Sequence, residues 1–132
     1  MELVVDTSVI IAVLTSEPER GILVQATRGA DLVAPASVHW EVGNALGAML
    51  KRDRITLKQA LQAVAAYQQI PIRFMEVDLG TALQLAAEHD LYAYDAYVIA
   101  CARRQRCGLL ALDHGLVRAA KAAGVQVVEV GK

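Results

Sequence analysis

Apolar residues fall along this chain as short runs that alternate with helical stripes. Leu3-Val4-Val5 is a run of three, two of them β-branched, that stops at Asp6. Such a run predicts a buried strand that ends where the carboxylate begins. Val9 to Leu14 predicts a short helix. Ser16-Glu17-Pro18-Glu19 has the spacing of a capping box and predicts a second helix to about Arg28, ended by Gly29 in the left-handed conformation. Leu32-Val33-Ala34 predicts a strand closed by Pro35. Ser37 reads as the N-cap of a helix whose Val42, Ala45, Leu46 and Met49 face the core and whose basic end is Lys51, Arg52 and Arg54. Thr56-Leu57-Lys58-Gln59 is a second capping box, with Leu57, Leu61 and Val64 on one stripe and Pro71 as the stop. Ile72 to Val77 predicts a strand, and Asp78 caps a helix through about His89. Tyr92 to Arg104 reads as a helix with Asp95 in its first turn and Gly108 as its terminator. Leu109 to Leu112 is an apolar strand running into Asp113, followed by a helix over Gly115 to Ala123, then Gly124 and a strand from Val125 to Val130.

Strands alternating with helices predict a parallel sheet with helices on both faces, an α/β/α sandwich. With no linker, repeat or low-complexity stretch, residues 1–132 read as a single domain. A net charge of -1 excludes a strongly basic nucleic-acid coat protein, but not an enzyme that meets nucleic acid through a small charged site. Hydrophobic residues make up 55% of the chain, enough to expect apolar surface facing a partner. A membrane helix is not expected, since no apolar run approaches the ~18 residues one needs. Met1-Glu2 lacks the basic start of an export signal, so a cytoplasmic protein is expected. Cys101 and Cys107 then read as reduced, space-filling residues, with no Cys-x-x-Cys pair to suggest a metal.

Two strands end in the same way, Val-Val-Asp at Asp6 and Ala-Leu-Asp at Asp113. If both are central and parallel, their carboxyl ends meet at a switch point, where ligands bind in such sheets. Asp95 at a helix start and Glu41 near the start of another can join them. Four gathered acids repel one another, and a divalent cation relieves the conflict. Oxygen ligands without soft partners suit Mg2+ or Mn2+, which can polarise a phosphoryl oxygen and activate water. The competing reading of Asp6 is simply a helix cap.

Val-Val-Asp6-Thr-Ser, Glu41 with Asn44, Tyr94-Asp95-Ala96 and Leu112-Asp113 resemble the PIN domain, in order and over nearly the whole chain. The length and N-terminal start resemble the stand-alone PIN toxins of VapBC toxin–antitoxin pairs. The resemblance implies a Mg2+- or Mn2+-dependent ribonuclease, usually dimeric and inhibited by a cognate antitoxin. By the same resemblance Asp6, Glu41, Asp95 and Asp113 hold the metal, directly or through water. Ser8 hydrogen-bonds a carboxylate or a water, and Asn44 stands behind them. His114-Gly115 after Asp113 departs modestly from the family pattern.

Rival readings are weaker. A Ser8/His114/Asp113 triad lacks a nucleophile elbow or an oxyanion segment. A receiver-like signalling domain needs paired acids after the first strand, and Asp6 has no acidic neighbour. A silent PIN-like module that only binds RNA or protein sits poorly with four acids retained. Arg103, Arg104 and Arg106 serve a helix end before they serve RNA. Trp40, Tyr92, Tyr94 and Tyr97 are expected in core or dimer packing rather than base stacking.

Overall fold

The computed structural model describes residues 1–15, 18 and 20–128, and in it the apolar run at the start of the chain becomes the inside of a sheet. β1 (Glu2–Val5) has β2 (Asp31–Pro35) on one side and β4 (Gly108–Leu110) on the other, both parallel to it. β3 (Ile72–Met75) pairs parallel with β2, giving the order β3-β2-β1-β4. A strand buried on both faces needs apolar side chains pointing both ways, and Leu3, Val4 and Val5 supply them. Val4, with Val33 and Leu109, packs under α5 (Leu79–His89), α6 (Ala93–Gln105) and α7 (His114–Ala122). Leu3 and Val5, with Ala34 and Leu110, pack under α1 (Thr7–Leu14), α2 (Arg20–Thr27), α3 (Ser37–Lys51) and α4 (Leu57–Gln68). The result is the expected three-layer sandwich. None of the described helices is long and apolar enough to cross a membrane.

Local chemistry sets most boundaries. Thr56 and Gln59 close both halves of the α4 capping box, and Asp78 caps α5 by accepting from the Thr81 amide. Gly29 and Gly124 take the left-handed conformation, with φ of 77° and 84°.

Six expectations change, the first being that β4 ends at Leu110, short of Leu112. Ser37 is the first residue of α3 rather than its cap, because Ala36 before it is already helical in backbone angles. On α4 the buried residues are Ala60 and Tyr67, with Ala63 and Val64 beside them, so Leu57 and Leu61 point outward. Tyr67, with Ala63 and Val64, packs into the core cluster that α1 and α3 share, so that face of α4 turns inward and the leucines stand outside it. α6 is closed by Arg106 in the left-handed conformation, two residues before Gly108, which opens β4. β3 stops at Met75, short of Val77. The last expected strand reduces, within the described residues, to a parallel bridge between Val127 and Leu109; residues 129–130 lie outside them. The Ser16-Glu17-Pro18-Glu19 capping box also falls largely outside the described residues.

Cys101 is buried in the core and burial pushes its thiol up to about 12, which leaves it an inert filler.

Candidate active site

The strand order puts the switch point between β1 and β4, since the chain leaves β1 to build β2 and β3 on one side and returns to place β4 on the other. Asp6 follows β1 and Asp113 lies three residues beyond β4, so both carboxylates stand at this gap. Their ends are stitched together. The Asp6 amide donates to the Leu110 carbonyl at 3.2 Å. The Ser8 hydroxyl donates to Asp6 Oδ2 at 2.7 Å and accepts from the Leu112 amide at 3.2 Å. Ser8 thus bonds a carboxylate and ties that carboxylate to the other strand.

Asp6 also caps α1, since the Ser8 amide donates to the same Oδ2. The capping reading and the site reading are therefore both true of one side chain. At 7% exposure it is the buried charged residue among those described. Burial pushes its carboxyl above the usual range, the Asp113 charge adds to this, and the bonds from Ser8 and the Thr7 amide work against it.

α3 and α6 bring two more acids over the gap. Burial holds the Glu41 carboxyl above its ordinary value, with the charges of Asp6 and Asp95 adding to the push. The Thr7 hydroxyl donates to Glu41 Oε1 at 3.1 Å, while Glu41 Oε2 is buried without a hydrogen-bond partner. The Ser37 hydroxyl, one turn earlier, lies near enough to favour the charged form but is itself buried and unpartnered in any well-formed bond. Asp95, in the first turn of α6, is raised first by burial and then by the charges of Asp6 and Asp113. Asp113 sits at the exposed rim, its Oδ1 accepting from the Gly115 amide at 2.8 Å and the Leu116 amide at 3.1 Å. A Cβ on Gly115 would stand 3.2 Å from that oxygen and 3.9 Å from a nitrogen of Arg118. The glycine therefore lets the amide approach closely, and Arg118 brings a cation to the same rim.

Each of the four acids is within electrostatic reach of at least two of the others, from the buried Asp6 to the exposed Asp113. Among the described residues no three acidic, histidine or cysteine side chains close tightly enough to cage a metal ion by themselves. A cation here would keep part of its water shell. That suits Mg2+, which dehydrates reluctantly and takes one or two carboxylates directly. The oxygen-only donors, three carboxyls held high by burial and mutual repulsion, and the orphaned Glu41 Oε2 all fit such an ion.

Other residues are placed differently. Asn44 is exposed on α3. Thr7 was passed over in the sequence, although its place between Asp6 and Ser8 was the available signal. Trp40, Tyr92 and Tyr94 are 73%, 87% and 52% exposed, so core packing does not account for them. Arg103 and Arg104 lie in the last turn of α6, at the opposite end of that helix from Asp95.

An open parallel sheet with carboxylates gathered at its switch point defines a class of α/β proteins whose chemistry is acidic and sits at the strand ends. Within that class the chain belongs to the PIN domain family, whose profile matches residues 3–122. The fold is shared with PAE2754 from Pyrobaculum aerophilum at a TM-score of 0.75 and 22% identity, covering 96% of this chain and 83% of that one. It is shared with VapBC2 from Rickettsia felis, solved bound to a DNA fragment from its promoter, at 0.72 and 8%, covering 99% and 100%. It is shared too with VapC20 from Mycobacterium tuberculosis, a Sarcin-Ricin loop cleaving toxin, at 0.66 and 20%, covering 93% and 95%. No curated protein shows a significant sequence match.

Proposed function

We propose that this chain is a divalent-cation-dependent ribonuclease and the toxin of a toxin–antitoxin pair. The observation that carries the reading is the convergence of Asp6, Glu41, Asp95 and Asp113 on one gap, one of them with a buried carboxylate oxygen that has no hydrogen-bond partner. Like charges brought so close are costly unless a cation joins them. Membership of the PIN family, and a fold shared with an RNA-cleaving toxin and with a VapBC pair, direct the reading to RNA and to an antitoxin partner. We further propose a homodimer, which would cover part of the exposed apolar surface.

Asp6, Glu41, Asp95 and Asp113 would hold Mg2+ or Mn2+, in part through water. When bound, the ion supplies charge neutralisation at a phosphate oxygen and acidifies water for attack. The protein does the positioning. Ser8 fixes the Asp6 carboxylate, Thr7 fixes one oxygen of Glu41, and the α7 amides fix one oxygen of Asp113. These carboxylates would hold the ion, and one of them would accept the proton of the attacking water. That water's oxygen would bond to phosphorus as the P–O ester bond breaks, and the leaving oxygen would take up the proton that the carboxylate had received. Arg118, whose guanidinium lies near Gly115 at the rim, would stabilise charge that builds on the phosphate.

The test uses purified protein and structured RNA. Cleavage is expected with Mg2+ or Mn2+, none with EDTA, and a loss of at least about 100-fold in Asp6→Asn, the scale of removing one key electrostatic group. Cleavage that survives chelation or the substitution overturns the reading.

A further inference from the structure

A groove opens one helical turn from the acids, at the same carboxyl edge of the sheet. Pro35, Met75, Val77, Leu79 and Tyr97 line it, with Ser37 beside them, and its volume is about 160 Å3. Ser37 and Glu41 are four residues apart on α3 and so share a face, which makes groove and acids neighbours. An apolar space of ~150 Å3 is enough to hold a benzene-sized ring. The ring of Tyr97 forms part of the wall, and Tyr94 meets it edge to face, with centroids 6.0 Å apart and planes at 85°. Going round α6 at 3.6 residues per turn, Tyr94 falls between Asp95 and Tyr97. The tyrosine pair therefore carries the surface from the acid to the groove. Tyr94 is half exposed, and the Ser37 hydroxyl is a buried polar atom without a partner.

We propose that this groove is a nucleobase subsite, which takes one unstacked base of the RNA strand whose phosphate lies at the acids. The proposal rests on the ribonuclease reading and adds to it the place where the strand is gripped. Every base has a π-face, so aromatic walls beside a cleavage site hold single-stranded nucleic acid with little demand on sequence. A strand seated there must have that base out of its stack, so the scissile bond is expected in a loop or other unpaired segment.

The experiment uses a short RNA with one mapped cleavage site and a set of copies with an abasic position on either side of it. Wild-type protein is expected to show a KM about tenfold higher for one abasic copy, the scale of a lost base–aromatic stack. Leu79→Trp, at a residue 58% exposed and so tolerant of change, fills the groove. It is expected to raise KM for the intact RNA by about tenfold and to erase the difference between intact and abasic copies. Tyr97→Ala is expected to do the same, and Tyr97→Phe to keep the wild-type pattern. Equal KM for all copies, or an abasic penalty that Leu79→Trp leaves intact, overturns the subsite while the ribonuclease reading stands. That is also the result expected if the groove takes an apolar side chain of a protein partner. A wild-type protein that cleaves none of these RNAs overturns both.

Discussion

Asp6 is held by opposing forces. Burial and the Asp113 charge push its carboxyl up, the Ser8 bonds pull it down, and the push wins. Glu41 and Asp95 are raised as well, first by burial and then by their acidic neighbours. A carboxyl whose folded pKa exceeds its unfolded one favours folding below the unfolded value, and that contribution is lost as pH rises through the folded value. The metal-free protein is therefore expected to lose stability as these three acids ionise. Asp6→Asn keeps an acceptor oxygen for Ser8 and removes the charge. In EDTA near about pH 7 it is expected to melt higher than wild type by roughly 4 °C, about 1 kcal/mol for a domain of this size. The gap should close as pH falls to about 4, where ordinary carboxylates take up protons. Calorimetry across pH checks both, and an Asn variant that melts lower throughout counts against the charge conflict. Asp6 and Asp113 were legible in the sequence because an acid at the end of an apolar run is a local signal. Thr7 was legible only by its place between Asp6 and Ser8, and its bond was not, because its partner is Glu41, 34 positions away.

At the level of elements, caps were readable where the cap is made by a side chain near in sequence, as at Asp6, Thr56 and Asp78. They were misread where tertiary surroundings recruit the side chain. The Ser37 hydroxyl is buried close to Glu41 instead of capping α3, and Arg106 adopts the left-handed backbone that a glycine was expected to supply. α4 teaches the same lesson about stripes. Periodicity shows that Leu57 and Leu61 share a face, but not that the alanine face beside it is the one that fits the core. The two faces should therefore answer differently to substitution. Leu61→Gln is expected to change stability by no more than about 0.5 kcal/mol. Leu46→Ala, at a residue 4% exposed, is expected to cost about 2–5 kcal/mol. Urea denaturation of the two variants decides this, and a large loss in Leu61→Gln would mean that its side chain is covered in solution.

On the scale of the whole molecule, alternation of strands and helices announced a parallel sheet and left the strand order open. Nothing local says that β1 lies between β2 and β4, and that order is what creates the gap for the acids. The site is therefore a property of the assembled sheet, and an ion that binds it should stabilise the fold as a whole. Mg2+ at about 100 times its dissociation constant is expected to add about 2.7 kcal/mol to the wild-type protein. Thermal melts with and without Mg2+ read this, and Asp6→Asn should lose most of the gain. An equal gain in both proteins would place the ion elsewhere.

The serine bridge across the gap has a consequence for how such a chain is made. Ser8 and Leu112, joined through one hydroxyl, are 104 positions apart. Ser8 is made long before Leu112, so Asp6 waits without this tie and without Asp113 until β4 has followed. A chain stopped before β4 lacks one side of the gap, and the four acids are brought together only when that strand joins the sheet.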